Sequence, residues 1–148
     1  MIRRPRHRVA VKPPFALHFL EGVERFNAAE FWNAHESWEI LWLVAETDLD
    51  QFLQGLIQLA AAYHHVQRGT FRGAVRLFDA SLRRLEPFPS TFCGIDRQAA
   101  EEAARRHREW TASVVARGAH SERIPSEQFP RLIVLASERS KMPVNECW

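Results

Sequence analysis

The sequence predicts an all-α protein, a single-domain antiparallel bundle of about five helices with an irregular C-terminal tail. Three observations carry this. Apolar residues recur at spacings of three and four along most of the chain. Prolines, glycines and short polar side chains fall where such helices should start and stop. Only Leu132 to Leu135 reads as an extended piece, and there is no internal repeat or low-complexity tract. At 148 residues, 46% hydrophobic and 26% charged, the chain is long enough for one core and too short for two.

Residues 1–14 read as a basic flexible arm, with Arg3, Arg4, Arg6, Arg8 and Lys12 and no acid. Pro13 and Pro14 fix the approach to a first helix, Phe15 to Phe26, whose inner stripe is Phe15, Phe19, Leu20, Val23 and Phe26. Asn27 is expected to cap the second helix. Glu30 sits three residues on to reach back, and Phe26 with Phe31 forms the apolar staple. That helix is expected to run to about Ala45. Thr47 or Asp48 caps a third helix to about Arg68, with Gly69 as its stop. Thr70 caps a fourth through about Glu86, with Ala74, Leu77, Phe78, Ser81, Leu82 and Leu85 inward, and Pro87 and Pro89 end it. Asp96 caps a fifth to about Arg117, with Ala99, Ala103, His107, Trp110 and Val114 as its inner line and Gly118 as its stop. The bundle thus spans 15–118, and residues 119–148, with Pro125, Pro130 and Pro143, form an irregular tail packed on it.

The chemistry concentrates in Phe31 to Trp42, FWNAHESWEILW. At about 100° per residue, His35, Glu39 and Trp42 share one stripe, with Phe31, Trp32 and Trp38 beside it. That stripe is expected to face the core. An imidazole and a carboxylate buried among indoles must be paired, hydrogen-bonded or bound to a metal. The third helix is apolar nearly all round except for Gln51, Gln54, Gln58 and His65, with Gly55, Ala61 and Ala62 small enough for a neighbour to approach closely. His35 and Glu39 are the expected partners of that polar stripe, closing a pocket between the second and third helices.

Taken together, Asn27, the His35-x-x-x-Glu39-x-x-Trp42 spacing, the Gln54-Gly55-Leu56-Ile57-Gln58 run and the segment from His65 to Ala74 resemble the bacterial and archaeal domain-of-unknown-function family 309. The resemblance covers about Phe19 to Leu85. Thr70 stands where the family usually has asparagine after Arg-Gly, a departure that still permits capping. The resemblance implies an all-helical fold and a suspected metal-binding role for the H-x-x-x-E-x-x-W motif, which falls on His35 and Glu39 with Trp42 as a wall. It implies no known reaction.

Imidazole and carboxylate four residues apart on a helix suit zinc, manganese, iron or nickel. His65 is the expected third ligand, and His64 should point elsewhere. Gln54, Gln58 and Glu36 would orient the ligands, with Trp38 and Trp42 lining the pocket. His35-Glu36-Ser37-Trp38-Glu39 lacks the second histidine of the zinc-protease motif, so Glu36 is not read as a protease base. If a metal acts catalytically, a hydrolytic water is the default chemistry. The alternative is a non-catalytic domain whose His/Glu/Gln cluster is only a buried hydrogen-bond network. A metal-free acid/base site is a further alternative. A small-molecule ligand and a homo-oligomer are both compatible with these residues.

Other classes are disfavoured. No apolar run reaches the roughly 20 residues of a membrane span, and the arginine-rich start lacks the apolar segment of a signal peptide. Cys93 and Cys147 make neither a disulfide framework nor a zinc pattern, so a reduced cytoplasmic setting is expected. The net charge of +2 includes the arm, without which fifteen basic residues face eighteen acidic ones. A mildly acidic body argues against nucleic-acid binding outside the arm.

Overall fold

Phe15, Phe19, Val23 and Phe26 recur at spacings of four and three, and in the computed structural model they form the buried face of α1 (Phe15–Asn27). The structure describes residues 13–135; the arm up to residue 12 and the tail beyond residue 135, with Cys147, lie outside the described residues. The chain continues through α2 (Phe31–Trp42), α3 (Thr47–Arg68), α4 (Phe71–Leu85), a hairpin of β1 (Thr91–Phe92) and β2 (Ile95–Asp96), and α5 (Arg97–Arg117). Consecutive helices pack on one another, which leaves α3 between α2 and α4. The expected all-α bundle is therefore the architecture observed, and among the described residues no helix is long and apolar enough to cross a membrane.

The glycine stops hold: Gly69 and Gly118 adopt left-handed φ values of 78° and 66°, and their backbone N–H groups return to the last turns of α3 and α5. Asp96 caps α5 by accepting from the Ala99 amide at 3.1 Å. Other cap expectations are corrected. Asn27 ends α1, and its side-chain amide makes a two-way bond with the Leu132 backbone, donating to the carbonyl at 3.0 Å and accepting from the amide at 2.6 Å. α2 starts after Glu30 with no side-chain cap, although Phe26 and Phe31 do meet edge to face at 4.9 Å. α3 starts after Glu46, and the Thr47 hydroxyl donates to the Glu46 carbonyl rather than capping.

The core centres on Tyr63 of α3, whose ring lies 5.0–5.9 Å from those of Phe26, Phe31, Phe78 and Phe129. Trp38 is fully buried beside it on the α1 side, and its indole N–H donates to the Phe19 carbonyl at 3.1 Å. The tail is tied down by β pairing: Val134 bridges Ile95, Asp96 N–H donates to Ile133, and Leu135 N–H donates to Gly94, both at 2.9 Å. Its extended piece at Leu132–Leu135 was expected, whereas the hairpin it joins was not. Of the predicted inner line of α5, Ala103 and Val114 are buried whereas Ala99, His107 and Trp110 lie at the edge, because the helix is turned slightly so that Ala100, Ala104 and Thr111 also face the core.

Candidate functional site

The buried line of α2 is Phe31, Ala34, Trp38 and Leu41, continued by Ala45. His35, Glu39 and Trp42 do not face the core as expected; they run along its edge, about a quarter turn away. His35 is mostly covered, its side chain 17% exposed, but Glu39 is 43% exposed and Trp32 47%. Nε2 of His35 lies 3.1 Å from the Glu39 carboxylate, so these two are paired, as the spacing of four allows. Nδ1 of His35 is buried without a hydrogen-bond partner among the described residues. Trp32 stacks on the His35 ring at 4.6 Å and leans on His64 of α3 at 5.1 Å. Trp42 donates its indole N–H to Asp50 at 2.6 Å, which pins the α2 end to the first turn of α3.

The histidine of α3 that faces α2 is therefore His64, not His65. Burial foremost, then the charges of His65, Arg68 and His35, push the His64 imidazole toward its neutral form. His65 turns toward α4: its Nδ1 lies 2.6 Å from the Thr70 hydroxyl, which also donates to the His65 carbonyl at 3.2 Å. Burial and Arg68 lower its affinity for a proton as well.

The amide stripe of α3 is answered from the opposite side to the one expected. Arg84 of α4 donates to Gln51 through Nη1 at 2.5 Å and to Gln58 through Nε at 3.1 Å. Gln54 is buried on the same helix. The helix that Gly55 admits is also α4: a Cβ there would fall 2.7 Å from Leu85, and the Gly55 carbonyl accepts from Ser81 at 2.7 Å. His35, Glu39, Gln54, Gln58 and His65 thus do not converge on one pocket between α2 and α3. Glu36 is exposed, and Trp38 belongs to the core rather than to a pocket wall. Among the described residues, open grooves lie elsewhere, among them one of 580 Å³ between α1 and the tail (Leu20, Val23, Glu24, Leu132) and one of 450 Å³ at the α3–α4 edge (Asp48, Gln51, Arg83, Phe88).

The donor set can be tested against a metal directly. His35 and Glu39 offer two converging donors, but among the described residues no three His, Cys, Asp or Glu side chains form a group that could hold an ion. Sequence reasoning also missed a second polar contact. The hydroxyl of Tyr63 lies 2.8 Å from Nδ1 of His107. Burial raises the tyrosine pKa and, with Arg106, lowers that of His107. With Tyr63 fully enclosed, this pair holds α3 to α5 rather than meeting a substrate.

What the α2–α3 edge presents is an aromatic and acidic surface. Trp32 and Ile40, at 43%, stand exposed on α2 with Glu36 and Glu39 between them, and Leu43, the residue after its last turn, is 36% exposed. Residues 19–77 match the family model described as a domain of unknown function (DUF309). No curated protein and no solved structure matches the chain.

Proposed function

We propose that this chain, whose residues 19–77 match the DUF309 family model, is a helical binding module whose recognition surface is the outer face of α2. One observation carries this reading: Trp32 stays half exposed although the core line of the same helix is complete, and it is held there by His35 and His64. An ordered, solvent-facing tryptophan loses little freedom on contact and makes a strong anchor for a partner. Ile40 and Leu43 extend the apolar surface along the helix, and the His35–Glu39 pair forms its polar edge. The test is selection of a random peptide library on the full chain, with counter-selection on a Trp32→Ala, Ile40→Ser, Leu43→Ser variant. Peptides that bind the parent and not the variant are expected. An empty selection, or peptides indifferent to the three changes, would overturn the reading.

A second reading is supported by the 3.1 Å convergence of His35 Nε2 and the Glu39 carboxylate. In it the pair takes up zinc, manganese, iron or nickel, with the remaining ligands supplied by another molecule.

A further inference from the structure

The occupant of the α2 face can be narrowed by charge. This step rests on the reading of that face as a docking surface and adds the chemistry of what docks. From Phe26 to Gln67 the sequence has no lysine or arginine, while Glu30, Glu36, Glu39, Glu46, Asp48 and Asp50 are all acidic. Arg25 reaches in from α1 to pair with Glu30 at 3.3 Å, and His35 pairs with Glu39. Glu36 and Glu46 are exposed with no cation in ion-pair range among the described residues.

At about 100° per residue, Trp32, Glu36, Glu39, Ile40 and Leu43 fall within an arc of about 100° centred opposite the core line. Two carboxylates therefore lie between Trp32 at one end and the Ile40–Leu43 pair at the other, over about 17 Å, roughly three helical turns. We propose that this face binds a cationic amphipathic helix of a partner protein, its apolar side seated on Trp32, Ile40 and Leu43 and its lysines or arginines beside Glu36 and Glu39. Polyanions are repelled by the same carboxylates. A second copy fits poorly in either orientation. α2 against α2 sets Glu36 and Glu39 near their own copies, and the arginines of α4, Arg72, Arg76 and Arg83, have no exposed large apolar residue among them.

Fluorescence anisotropy on the full chain tests this with a labelled 18-residue helix of leucine and lysine at helical spacing, and with the same pattern carrying glutamate or glutamine for lysine. The lysine peptide is expected to bind at least about tenfold tighter than either other peptide and to weaken several-fold as salt is raised. Trp32→Ala, and separately Glu36→Lys with Glu39→Lys, should each cost about tenfold, with circular dichroism unchanged because these side chains face solvent. Equal, Trp32-dependent binding of the glutamine or glutamate peptide would overturn the cationic assignment and leave the docking surface standing. Lysine-peptide binding indifferent to Trp32 and Glu36, or no binding of any peptide, would overturn both. Tenfold tighter binding after deletion of residues 1–12 would make the chain's own basic arm the occupant. A peptide-sensitive dimer in sedimentation would make it a second copy. Either result overturns the proposal.

Discussion

Replacing Gly22 by alanine should destabilise this protein, although the same change in an exposed helix gains about 1 kcal/mol from backbone entropy and helix propensity. Gly22 lies in the middle of α1, where a Cβ would stand 2.1 Å from Trp38 Nε1 and 2.5 Å from Cδ1 and Cε2. Ordinary contact needs about 3.5 Å, so the indole must retreat by more than about 1 Å. It has nowhere to go, because Trp38 is fully buried, lies 6.1 Å from the Phe26 ring and donates to the Phe19 carbonyl. Overpacking costs about 1–3 kcal/mol, and a broken buried hydrogen bond leaves two groups unsatisfied for about 1–3 kcal/mol more. After the propensity gain the net loss should be about 3 kcal/mol, which lowers a urea midpoint by about 2 M at a typical slope. Trp38→Phe removes the clashing ring edge, so in the Gly22→Ala background it should cost at least about 1 kcal/mol less than it does alone. Gly73→Ala is the control, since its Cβ would meet only His65 Nδ1 at 3.9 Å in α4, and it should be neutral or stabilising. A Gly22→Ala protein as stable as its parent, or strictly additive effects with Trp38→Phe, would refute the packing argument.

Two further expectations concern the histidines. His107 binds its proton more weakly in the fold than its usual 6.5, because it is buried and lies near Arg106, with the Gln128 and Ala103 carbonyls opposing in part. His64 and His65 are shifted in the same direction. Below 6.5 the unfolded chain therefore takes up protons that the fold resists. The stability contribution is full above that pH and is lost as pH falls through the folded value. His107→Gln should flatten part of the decline in denaturation midpoint between about pH 7 and 5, and an unchanged slope would show that His107 is not its source. For the metal reading, elemental analysis after purification without chelator or nickel resin should find near-stoichiometric ion that is lost in His35→Ala. Less than about a tenth of an equivalent, unchanged by excess ions, would dispose of it.

The helices themselves were legible because each depends on signals within one or two turns. Gly69, Gly118 and Asp96 stop or start helices through bonds that span only a few residues, and they do so here. Asn27 and Thr70 carry the same capping chemistry but spend it elsewhere. Asn27 joins Leu132, 105 residues away, and Thr70 bonds back to His65. A local rule sees that a side chain can cap, not that a distant backbone will claim it. The β1–β2 hairpin escaped for a related reason. Its strands are two residues each, too short for an alternation to show, and its turn places Cys93 at φ 49° beside Gly94 at φ 73°, with only the glycine signalling a left-handed turn.

The candidate site residues fall where they do because of two helix rotations, that of α2 and that of α3. Two stripes compete in the sequence of α2. His35, Glu39 and Trp42 hold the residues with chemistry, whereas Phe31, Ala34, Trp38, Leu41 and Ala45 recur at alternating spacings of three and four and are apolar throughout. The second defines a core seam, and it is the one buried. Burying a carboxylate costs several kcal/mol unless it is compensated, so a helix offered both stripes turns the apolar one inward. The rest follows mechanically. That quarter turn carries Glu39 and Trp32 to solvent, while the rotation of α3 about its own axis sets His64 rather than His65 toward α2. The same rotation of α3 gives its amides to Arg84, because the close approach that Gly55 permits is made by α4. The residues that drew attention in the sequence remain neighbours on α2, but the physics that governs them changes from desolvation of a sealed pair to complementarity at an acidic, aromatic surface.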